Sequence, residues 1–434
     1  MRISVIGCGY LGAVHAACMA ELGHEVVGID VDERKVAELS AGRAPFFEPG
    51  LPEVLGRALD SGRLRFSTDL ADAAGAEVHF VAVGTPQTKG SHAADLTYVD
   101  AAVEGLLPYL SDGDLVVGKS TVPVGTASRL SELVRASSGA DLAWNPEFLR
   151  EGFAVKDTLT PDRFVYGVAR GETGERAAAQ LDAVYATALA AETPRLVTDY
   201  ATAELVKVSA NAFLATKISF INAMAEVAEA TGADVTQLAD AIGYDARIGR
   251  KFLNAGIGFG GGCLPKDIRA FQARADELGL DSLAFLADVD AINLRRRDRV
   301  VALAGELVGD LAGARVAVLG LAFKPNSDDV RDSPALDVAR RLRASGAIVT
   351  AFDPEANATA GRVAPELEYA TDVESALRDA DVVLVLTEWT EFRELDPAVV
   401  AGLVSHARVV DGRNTLDSVA WRAAGFDYRG LGRP

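Results

Sequence analysis

One of the chain's three cysteines lies in the segment GFGGGCLPKD, residues 258–267. The consecutive glycines allow a close approach of the backbone and leave the Cys263 thiol accessible. Lys266 supplies a cation that favours the thiolate, and Asp267 supplies a carboxylate that can take up a proton. We expect neither a helix nor a strand to run through this segment, because it combines glycines with a proline. The residues alone leave Cys263 equally open to two interpretations, a nucleophile or a small buried apolar residue.

Two glutamates lie close together in the segment NPEFLREG, residues 145–152. Glu147 and Glu151 would share one face of a helix, but Pro146 and Gly152 favour a loop or a short turn. Carboxylates in an apolar setting are candidates for general bases. A solvated acidic turn explains the pattern equally well.

A lysine and an asparagine are four residues apart in the segment ELVKVSANAFLATK. Lys207 and Asn211 can therefore converge on one ligand from the same face of a helix. Taken alone, a surface lysine and a tolerated asparagine are the simpler interpretation of this spacing.

Two cations occur in the segment GLAFKPNSDDVRDSPAL, residues 320–336. Lys324 and Arg331 follow a predicted strand, where the carboxyl end of a strand meets a crevice in doubly wound sheets. Ser333 and Pro334 predict the start of the next helix, with serine as its cap and proline in its first turn. In an acidic chain, we interpret the two cations as anion binders.

The first predicted strand is followed by GCGYLG, in which Gly7, Gly9 and Gly12 have GxGxxG spacing. Such glycines permit a tight turn and let a pyrophosphate approach the N-terminus of the next helix. Asp30 ends the second predicted strand, and its carboxylate suits the 2′-hydroxyl of a ribose but would repel a 2′-phosphate. This context predicts NAD rather than NADP, the alternative being a glycine turn needed only for packing.

Composition narrows the possible functions. The chain of 434 residues is 49% hydrophobic and carries a net charge of −19, which argues against nucleic acid and anionic membranes as partners. The N-terminus lacks the pattern of a signal peptide, and no apolar run reaches the roughly 20 residues that cross a bilayer. The cysteines have neither disulfide nor metal-site spacing, so we expect a cytoplasmic protein that binds no metal. We expect Cys8 and Cys18 to be buried apolar residues.

The order of predicted elements indicates an α/β chain with three parts. Alternating strand and helix patterns predict a parallel doubly wound domain over residues 1–197. Residues 198–310 show helical spacing, with a long helix at 200–231, and form a central helical connector. The alternation returns over 311–434, where GAIVTAFD matches GHEVVGID of the first part, so we expect a second Rossmann-like domain without the glycine turn. Strands are predicted at 3–6, 25–29, 78–83, 115–119, 142–144, 315–319 and 348–352.

Six motifs together are similar to those of the UDP-glucose/GDP-mannose dehydrogenase family. They are GFGGGCLPKD, NPEFLREG, KSTVPVGT, AELVKVSANAF, GLAFKPNSDDVRDSPAL and DGRN, and they occur in the family's order between Met1 and about Asn414. The resemblance implies that the C6 alcohol of a nucleotide sugar is oxidised to a carboxylate in two NAD-dependent steps. It also implies that the aldehyde is not released, because a thiohemiacetal and then a thioester form on one cysteine.

The same resemblance implies the catalytic residues Cys263, Lys207, Asn211, Asp267, Glu147 and Thr121. Cys263 corresponds to the nucleophile, and Glu147 to a base for thioester hydrolysis. Lys207 and Asn211 correspond to the groups that stabilise developing oxyanions. Asp267 corresponds to a residue that assists Lys207 and a water near the reacting carbon.

Binding residues are implied in the same way. The positions matching the NAD site are Gly7, Gly9, Gly12, Asp30, Lys35, Thr85, Thr121, Glu151 and Arg331. The positions matching the nucleotide-sugar site are Phe148, Leu149, Arg150, Glu151, Lys207, Asn211, Arg247, Phe252, Leu253, Asn254, Ala255, Gly256, Gly260, Lys324 and Arg413. Arg247 matches an arginine that enters the neighbouring subunit's site, which implies a homodimer or a higher homo-oligomer.

The motifs specify the reaction more narrowly than the sugar. The runs FLNAGIGFGGGC and VGTPQ look more like those of enzymes acting on UDP-glucose, with GDP-mannose and UDP-N-acetylhexosamines as alternatives. A one-step NAD-dependent dehydrogenase of the hydroxyacid type is an alternative of a different class, and it has no use for Cys263. A non-catalytic NAD-binding scaffold would form no NADH with any nucleotide sugar.

Overall fold

The computed structural model describes residues 1–434. Tertiary contacts divide the chain into two units. One unit comprises residues 1–210 and 273–280, and the other comprises residues 211–272 and 281–434. The three-part division at residues 197 and 310 stays a prediction.

The first unit contains an eight-stranded sheet. Its elements in chain order are β1 (Arg2–Ile6), α1 (Tyr10–Glu21), β2 (Glu25–Ile29), α2 (Glu33–Ser40), α3 (Leu51–Asp60), β3 (Leu64–Ser67), β4 (Val78–Val81), α4 (Thr97–Leu106), β5 (Leu115–Gly118), α5 (Thr126–Ser138), β6 (Asp141–Trp144), α6 (Ala154–Leu159), β7 (Phe164–Gly167), α7 (Glu172–Val184), α8 (Ala186–Ala190) and β8 (Arg195–Thr198). Short 3-10 helices lie at Leu70–Ala73 and Leu107–Tyr109. The strand order is β3-β2-β1-β4-β5-β6-β7-β8, and all neighbours are parallel except β6 and β7. The first six strands therefore have the order of a Rossmann fold.

Apolar runs explain why these segments form buried strands. All four residues of β4 and of β5 are buried, as are the last four of β1. Strands of this kind are expected where helices cover both faces of a parallel sheet. Their carboxyl ends lie at one edge of the sheet, where the loops that carry candidate site residues begin.

The second unit contains helices and a six-stranded sheet. Its elements are α9 (Tyr200–Thr231) and α11 (Leu264–Glu277), which both have residues in each unit, α10 (Val235–Gly243), α12 (Phe285–Val308), β9 (Arg315–Leu319), α13 (Pro334–Ala344), β10 (Ile348–Phe352), α14 (Asn357–Val363), β11 (Glu368–Tyr369), α15 (Val373–Leu377), β12 (Val382–Val385), α16 (Thr390–Arg393), α17 (Pro397–Leu403), β13 (Arg408–Asp411), α18 (Ser418–Ala423) and β14 (Asp427–Gly430). The fully parallel order β11-β10-β9-β12-β13-β14 repeats the Rossmann order. None of the helices has the length and apolar character needed to cross a membrane.

The predicted fold class is confirmed, since two Rossmann-like sheets are linked by helices. The long helix has its predicted bounds, and α13 begins with Pro334 after Ser333, whose Oγ accepts a hydrogen bond from the Leu336 N–H at 3.3 Å. The expectation of no helix within residues 258–267 is wrong for its second half. Helix α11 starts at Leu264, because a proline in the first turn has no intrahelical N–H bond to lose.

Candidate active site

The glycine turn after β1 has room for a ligand at one position only. Gly7 has φ +89°, and a Cβ there would lie 2.7 Å from Val83 Cγ1. A Cβ on Gly12 would lie 1.8 Å from the Gly7 carbonyl oxygen, so both glycines are needed for packing. A Cβ on Gly9 would meet nothing within 4 Å. This open space, at the N-terminus of α1, fits the pyrophosphate of NAD.

The carboxylate of Asp30 closes the same turn at the end of β2. It accepts hydrogen bonds from the Cys8 backbone N–H and from the Lys35 ammonium, both at 2.8 Å. Its placement beside the glycine turn suits recognition of a ribose hydroxyl. Cys8 itself is fully buried, and burial raises the pKa of its thiol, in keeping with an apolar role.

Threonines from two neighbouring strand ends meet at the edge of the first sheet. The Thr85 hydroxyl, after β4, donates to the Thr121 carbonyl, after β5, at 2.9 Å. Ser120 donates to the Val83 carbonyl at 2.6 Å. The predicted cofactor residues Thr85 and Thr121 are therefore neighbours.

A lysine and a glutamate form a partly buried ion pair in the first unit. Lys207 Nζ on α9 lies 3.3 Å from Oε1 of Glu147, which belongs to the loop after β6. The other oxygen of Glu147 accepts the Leu149 N–H at 2.8 Å, and Lys207 also lies over the Phe148 ring. Lys207 is 6% exposed, so the surface lysine favoured on spacing alone is wrong.

The rest of this loop is held by neighbouring carboxylates. Arg150 donates three hydrogen bonds to Asp157, two from its guanidinium at 2.7 and 2.8 Å and one from its backbone N–H at 3.0 Å. Beyond Glu151, the backbone N–H groups of Gly152 and Ala154 donate hydrogen bonds to the buried carboxylate of Glu48. The segment forms a loop, as Pro146 and Gly152 predict.

A buried lysine that the sequence analysis did not select lies beside this loop. Lys119 ends the segment LVVGK after β5, and its ammonium donates to Asn145 Oδ1 at 3.1 Å and to the Tyr185 hydroxyl at 3.4 Å. Desolvation lowers the pKa of Lys119 to about 8, with Lys207 acting in the same direction and Glu147 opposing it. A lysine that ends a fully apolar strand is the sequence signal that could have identified it.

The glycines before Cys263 are required by the packing of the second unit. A Cβ on Gly258 would lie 2.2 Å from Asn293 Oδ1, and one on Gly260 would lie 2.3 Å from the Asp332 carbonyl oxygen. At Gly261 and Gly262 it would meet the side chains of Phe323 and Arg331, both within 2.8 Å. The loop is thus pressed against the segments that follow β9, which positions Cys263.

Cys263 lies at the N-terminal end of α11 and is exposed. Its carbonyl accepts the Asp267 N–H at 3.0 Å, so the cysteine directly precedes the first turn. A helix N-terminus stabilises negative charge and favours a thiolate over a thiol. The interpretation as a buried apolar residue, left open for Cys263, is therefore wrong.

One helical turn beyond Cys263 lies the buried carboxylate of Asp267, which is 3% exposed. Its two oxygens accept hydrogen bonds from Asn211 Nδ2 and from Lys266 Nζ, each at 2.6 Å. Asn211, Asp267 and Cys263 are thus brought together within the second unit.

Most of the remaining predicted substrate residues have structural contacts within the second unit. Leu253 and Ala255 are buried in an apolar cluster, the Gly256 N–H donates to Asn222 Oδ1, and Asn254 Oδ1 accepts from Arg250. Phe252 has φ +66°. The exposed side chains of this run are those of Phe252 and Asn254.

Four cations predicted to bind ligands differ in their surroundings. Arg413 is partly buried and donates to the carbonyls of Leu386, Gly258 and Phe323, and desolvation lowers its pKa. Arg331 forms a two-point ion pair with Asp329, and Lys324 Nζ lies 5.1 Å from the Phe323 ring centre. Arg247 is highly exposed and pairs with Asp245.

Comparisons with known proteins agree with this architecture. Residues 1–189, 201–295 and 317–418 match the NAD binding, central and UDP binding domains of the UDP-glucose/GDP-mannose dehydrogenase family. The UDP-glucose 6-dehydrogenase TuaD of Bacillus subtilis is 43% identical over all of this chain and 93% of that protein. The UDP-glucose 6-dehydrogenase of Rhizobium meliloti is 42% identical over the full length of both chains.

Solved structures extend the likeness to three dimensions. A UDP-glucose dehydrogenase from Pyrobaculum islandicum matches all of this chain and 98% of its own, with a TM-score of 0.91 and 41% identity. A UDP-D-ManNAc dehydrogenase from Pyrococcus horikoshii matches all of this chain and 99% of its own, with a TM-score of 0.87 and 28% identity. From its domains, its relatives and its glycine turn, this chain is a member of the UDP-glucose/GDP-mannose dehydrogenase family and uses NAD as its cofactor.

Proposed function

We propose that this chain is a UDP-glucose 6-dehydrogenase that oxidises the C6 alcohol of UDP-glucose to the carboxylate of UDP-glucuronate. The observation that carries the proposal is the exposed Cys263 at the start of α11, one turn before the Asp267–Asn211 pair. A thiol in this setting suits covalent capture of an aldehyde. The choice of UDP-glucose rests on the relatives, which carry that name at 42 to 43% identity.

In this mechanism Cys263 divides one difficult oxidation into two. NAD held at the glycine turn would supply the hydride acceptor for each oxidation at C6, one molecule per step, and two NADH would form for each sugar. The Cys263 thiolate adds to the C6 aldehyde to give a thiohemiacetal, and the second oxidation converts this to a thioester. Water then attacks the thioester carbonyl, the carboxylic acid forms and ionises, and the thiolate leaves.

The polar side chains have three tasks in these steps. Lys207 and Asn211 stabilise the negative oxygen on C6 at each stage. Glu147, paired with Lys207, takes the proton of the attacking water, and Asp267 holds Asn211 in place through its 2.6 Å hydrogen bond. We assign Thr121 to the catalytic residues as well.

We assign the ligand contacts by the same reasoning. NAD is bound at the glycine turn with Asp30 and Lys35, and contacted by Thr85, Thr121, Glu151 and Arg331. The nucleotide sugar is bound by residues 148–151 and 252–256, with Gly260, Lys324 and Arg413. We place the enzyme in the cytoplasm, because Cys263 must remain reduced to act.

The decisive experiment measures NADH formed per UDP-glucose consumed, with GDP-mannose and UDP-N-acetylhexosamines tested in parallel. We expect two NADH per UDP-glucose, and no turnover or an accumulated intermediate in Cys263→Ser. Cys18→Ala, which removes a buried thiol from the first unit, serves as the control and should retain activity. One NADH with free aldehyde as product, or full activity in Cys263→Ser, would indicate a one-step dehydrogenase instead.

We also propose that the enzyme is a homodimer that buries one face of α9. Phe213, Phe220 and Val227 are spaced seven residues apart on this helix and are 66%, 48% and 54% exposed. A stripe of this spacing on one helix face is typical of packing against a second helix. Light scattering should give a dimer for the wild type and a smaller species for Phe220→Glu, with Val419→Glu as an exposed control. A monomeric wild type would contradict the proposal.

A further inference from the structure

A closed polar cluster lies behind the loop that carries Glu147. The Asn145 side chain accepts hydrogen bonds from Lys119 and from the Tyr185 hydroxyl, the latter at 2.8 Å, and donates to the Val165 carbonyl at 3.0 Å. All four residues are buried. These bonds fix the conformation of the chain two residues before Glu147.

The cluster and the glutamate line the same cavity. Its walls include His15, Lys119, Asn145, Glu147, Phe148 and Tyr185. A buried ammonium has little solvent around it, so its charge acts on a neighbouring carboxylate with little screening. Among the charged groups near Lys119, Glu147 is the one that stabilises the ammonium, whereas Lys207 opposes it.

We propose that Lys119 is a positioning residue for Glu147: its ammonium holds the Asn145–Phe148 turn through a charge-assisted hydrogen bond to Asn145 and supplies, in addition to Lys207, a second positive charge to the cavity from which Glu147 acts in hydrolysis of the Cys263 thioester. The proposal rests on the proposed function, which makes Glu147 the base of that step. Lys119 does not touch the reacting atoms and acts through Glu147.

The other titratable groups around Lys119 leave this assignment intact. His15 from α1 is buried, and desolvation together with Lys119 lowers its pKa well below the ordinary value, so the imidazole is neutral. Tyr185, after α7, has a pKa raised by burial and stays protonated. Asp157, Asp162 and Arg163 complete the charged wall of the cavity, and Arg163 lies 3.9 Å from the Phe148 ring centre.

The protonation of Lys119 makes the proposal testable through pH. Because its pKa is about 8, the ammonium supports Glu147 below pH 8 and is lost as the pH rises through that value. In a variant without the ammonium, the rate of thioester hydrolysis should be lower at neutral pH and nearly equal to the wild-type rate well above pH 8. The ratio of the two rates cancels any pH dependence that both proteins share.

The experiment compares Lys119→Met with Tyr185→Phe, which removes one hydrogen bond to Asn145 but keeps the charge. Steady-state kcat and KM for UDP-glucose are measured from pH 6 to 10, and acyl-Cys263 is quantified by mass spectrometry after acid quench. For Lys119→Met we expect kcat reduced about tenfold at pH 7, KM within about twofold, accumulated acyl-enzyme, and a wild-type to variant ratio that falls through pH 8. For Tyr185→Phe the ratio should not change with pH.

A ratio independent of pH in Lys119→Met, or a lower kcat without acyl-enzyme, would show that hydrolysis does not depend on the charge of Lys119 and overturn the proposal. If Lys119→Met does not fold, Lys119→Gln is measured in its place with the same criteria. NADH formation by the wild type is recorded first. Its absence would overturn the proposed function together with this proposal, whereas a normal wild type with an unchanged variant overturns this proposal alone.

Discussion

Cys263 and Lys119 lie in opposite surroundings. The thiol of Cys263 is exposed at a helix N-terminus, where a negative charge is stabilised, whereas the ammonium of Lys119 is buried and loses hydration. The sequence made Cys263 a candidate nucleophile, because glycines, a lysine and an aspartate flank the thiol directly, and the family resemblance implied that role. The sequence could not predict the burial of Lys119, because a lysine at a strand end ordinarily extends to solvent, and the side chains that cover Lys119 come from distant segments.

The buried charge of Lys119 should reduce stability at neutral pH. A pKa lowered from 10.5 to about 8 means that the unfolded chain binds a proton more tightly than the native one. The cost of the native ammonium is therefore complete below pH 8 and is relieved as the pH rises from about 8 towards 10.5. We expect Lys119→Met to be more stable than the wild type at pH 7 by roughly 1–3 kcal/mol, after the loss of its hydrogen bonds.

Thermal unfolding of both proteins from pH 6 to 10 measures this difference. The advantage of Lys119→Met should be constant up to pH 7.5 and should shrink above pH 8. Tyr185→Phe, with its charge network intact, should show no such trend. A variant less stable than the wild type at pH 7 would contradict the expected penalty.

At the level of elements, the sequence predicted seven buried strands and the long helix α9, and missed the edge strands together with the buried strands β7 and β13. Strands β1 and β10 are mostly apolar and largely buried, which makes their type evident. Strand β8 is a sheet edge whose Leu196 is 50% exposed, so its four residues lack the pattern of a buried strand. The start of α11 was missed because glycines and Pro265 suggest a loop, whereas the proline occupies a first turn.

The glycine loop before α11 is an element whose shape depends on close packing. A methyl group at Gly260 would clash with the Asp332 carbonyl and with Pro334 Cδ, at 2.3 and 2.6 Å. We expect Gly260→Ala to displace the loop, reduce stability by about 1–3 kcal/mol and lower kcat through misplacement of Cys263. Gly402→Ala is the control, because Gly402 is exposed near the end of α17 and a Cβ there would meet nothing within 4 Å.

Urea unfolding and NADH formation test this pair of variants. The control should keep wild-type activity and gain up to about 0.5 kcal/mol, since alanine favours a helix over glycine. Equal stability and activity in Gly260→Ala would mean that the loop adapts without cost, and that its packing does not position the thiol.

At the scale of the whole molecule, two sheets of the same strand order differ at matching positions. Asp30 and Asp353 both follow the second strand of their sheets, and both bind backbone N–H groups of the turn after the first strand. Asp353 also accepts from the Glu355 and Ala356 N–H groups and from the Trp389 indole, so its carboxylate is fully used by the protein. The turn after β9 in the second sheet has no open glycine position like that of Gly9. We therefore assign NAD to the first sheet.

This assignment predicts that a substitution at Gly9 abolishes NAD binding and leaves folding intact. Gly9 has φ −69° and ψ −165°, a conformation open to any residue, and its surroundings leave room for a larger side chain. In Gly9→Val the branched side chain should occupy the space of the pyrophosphate while the melting temperature stays within about 2 °C of the wild type. Calorimetric titration should show one NAD per wild-type chain, no detectable NAD binding in Gly9→Val, and unchanged binding of UDP, whose domain matches residues 317–418. Retained NAD binding in a folded Gly9→Val would place the cofactor elsewhere, and simultaneous loss of UDP binding would show that the two nucleotide sites do not act independently.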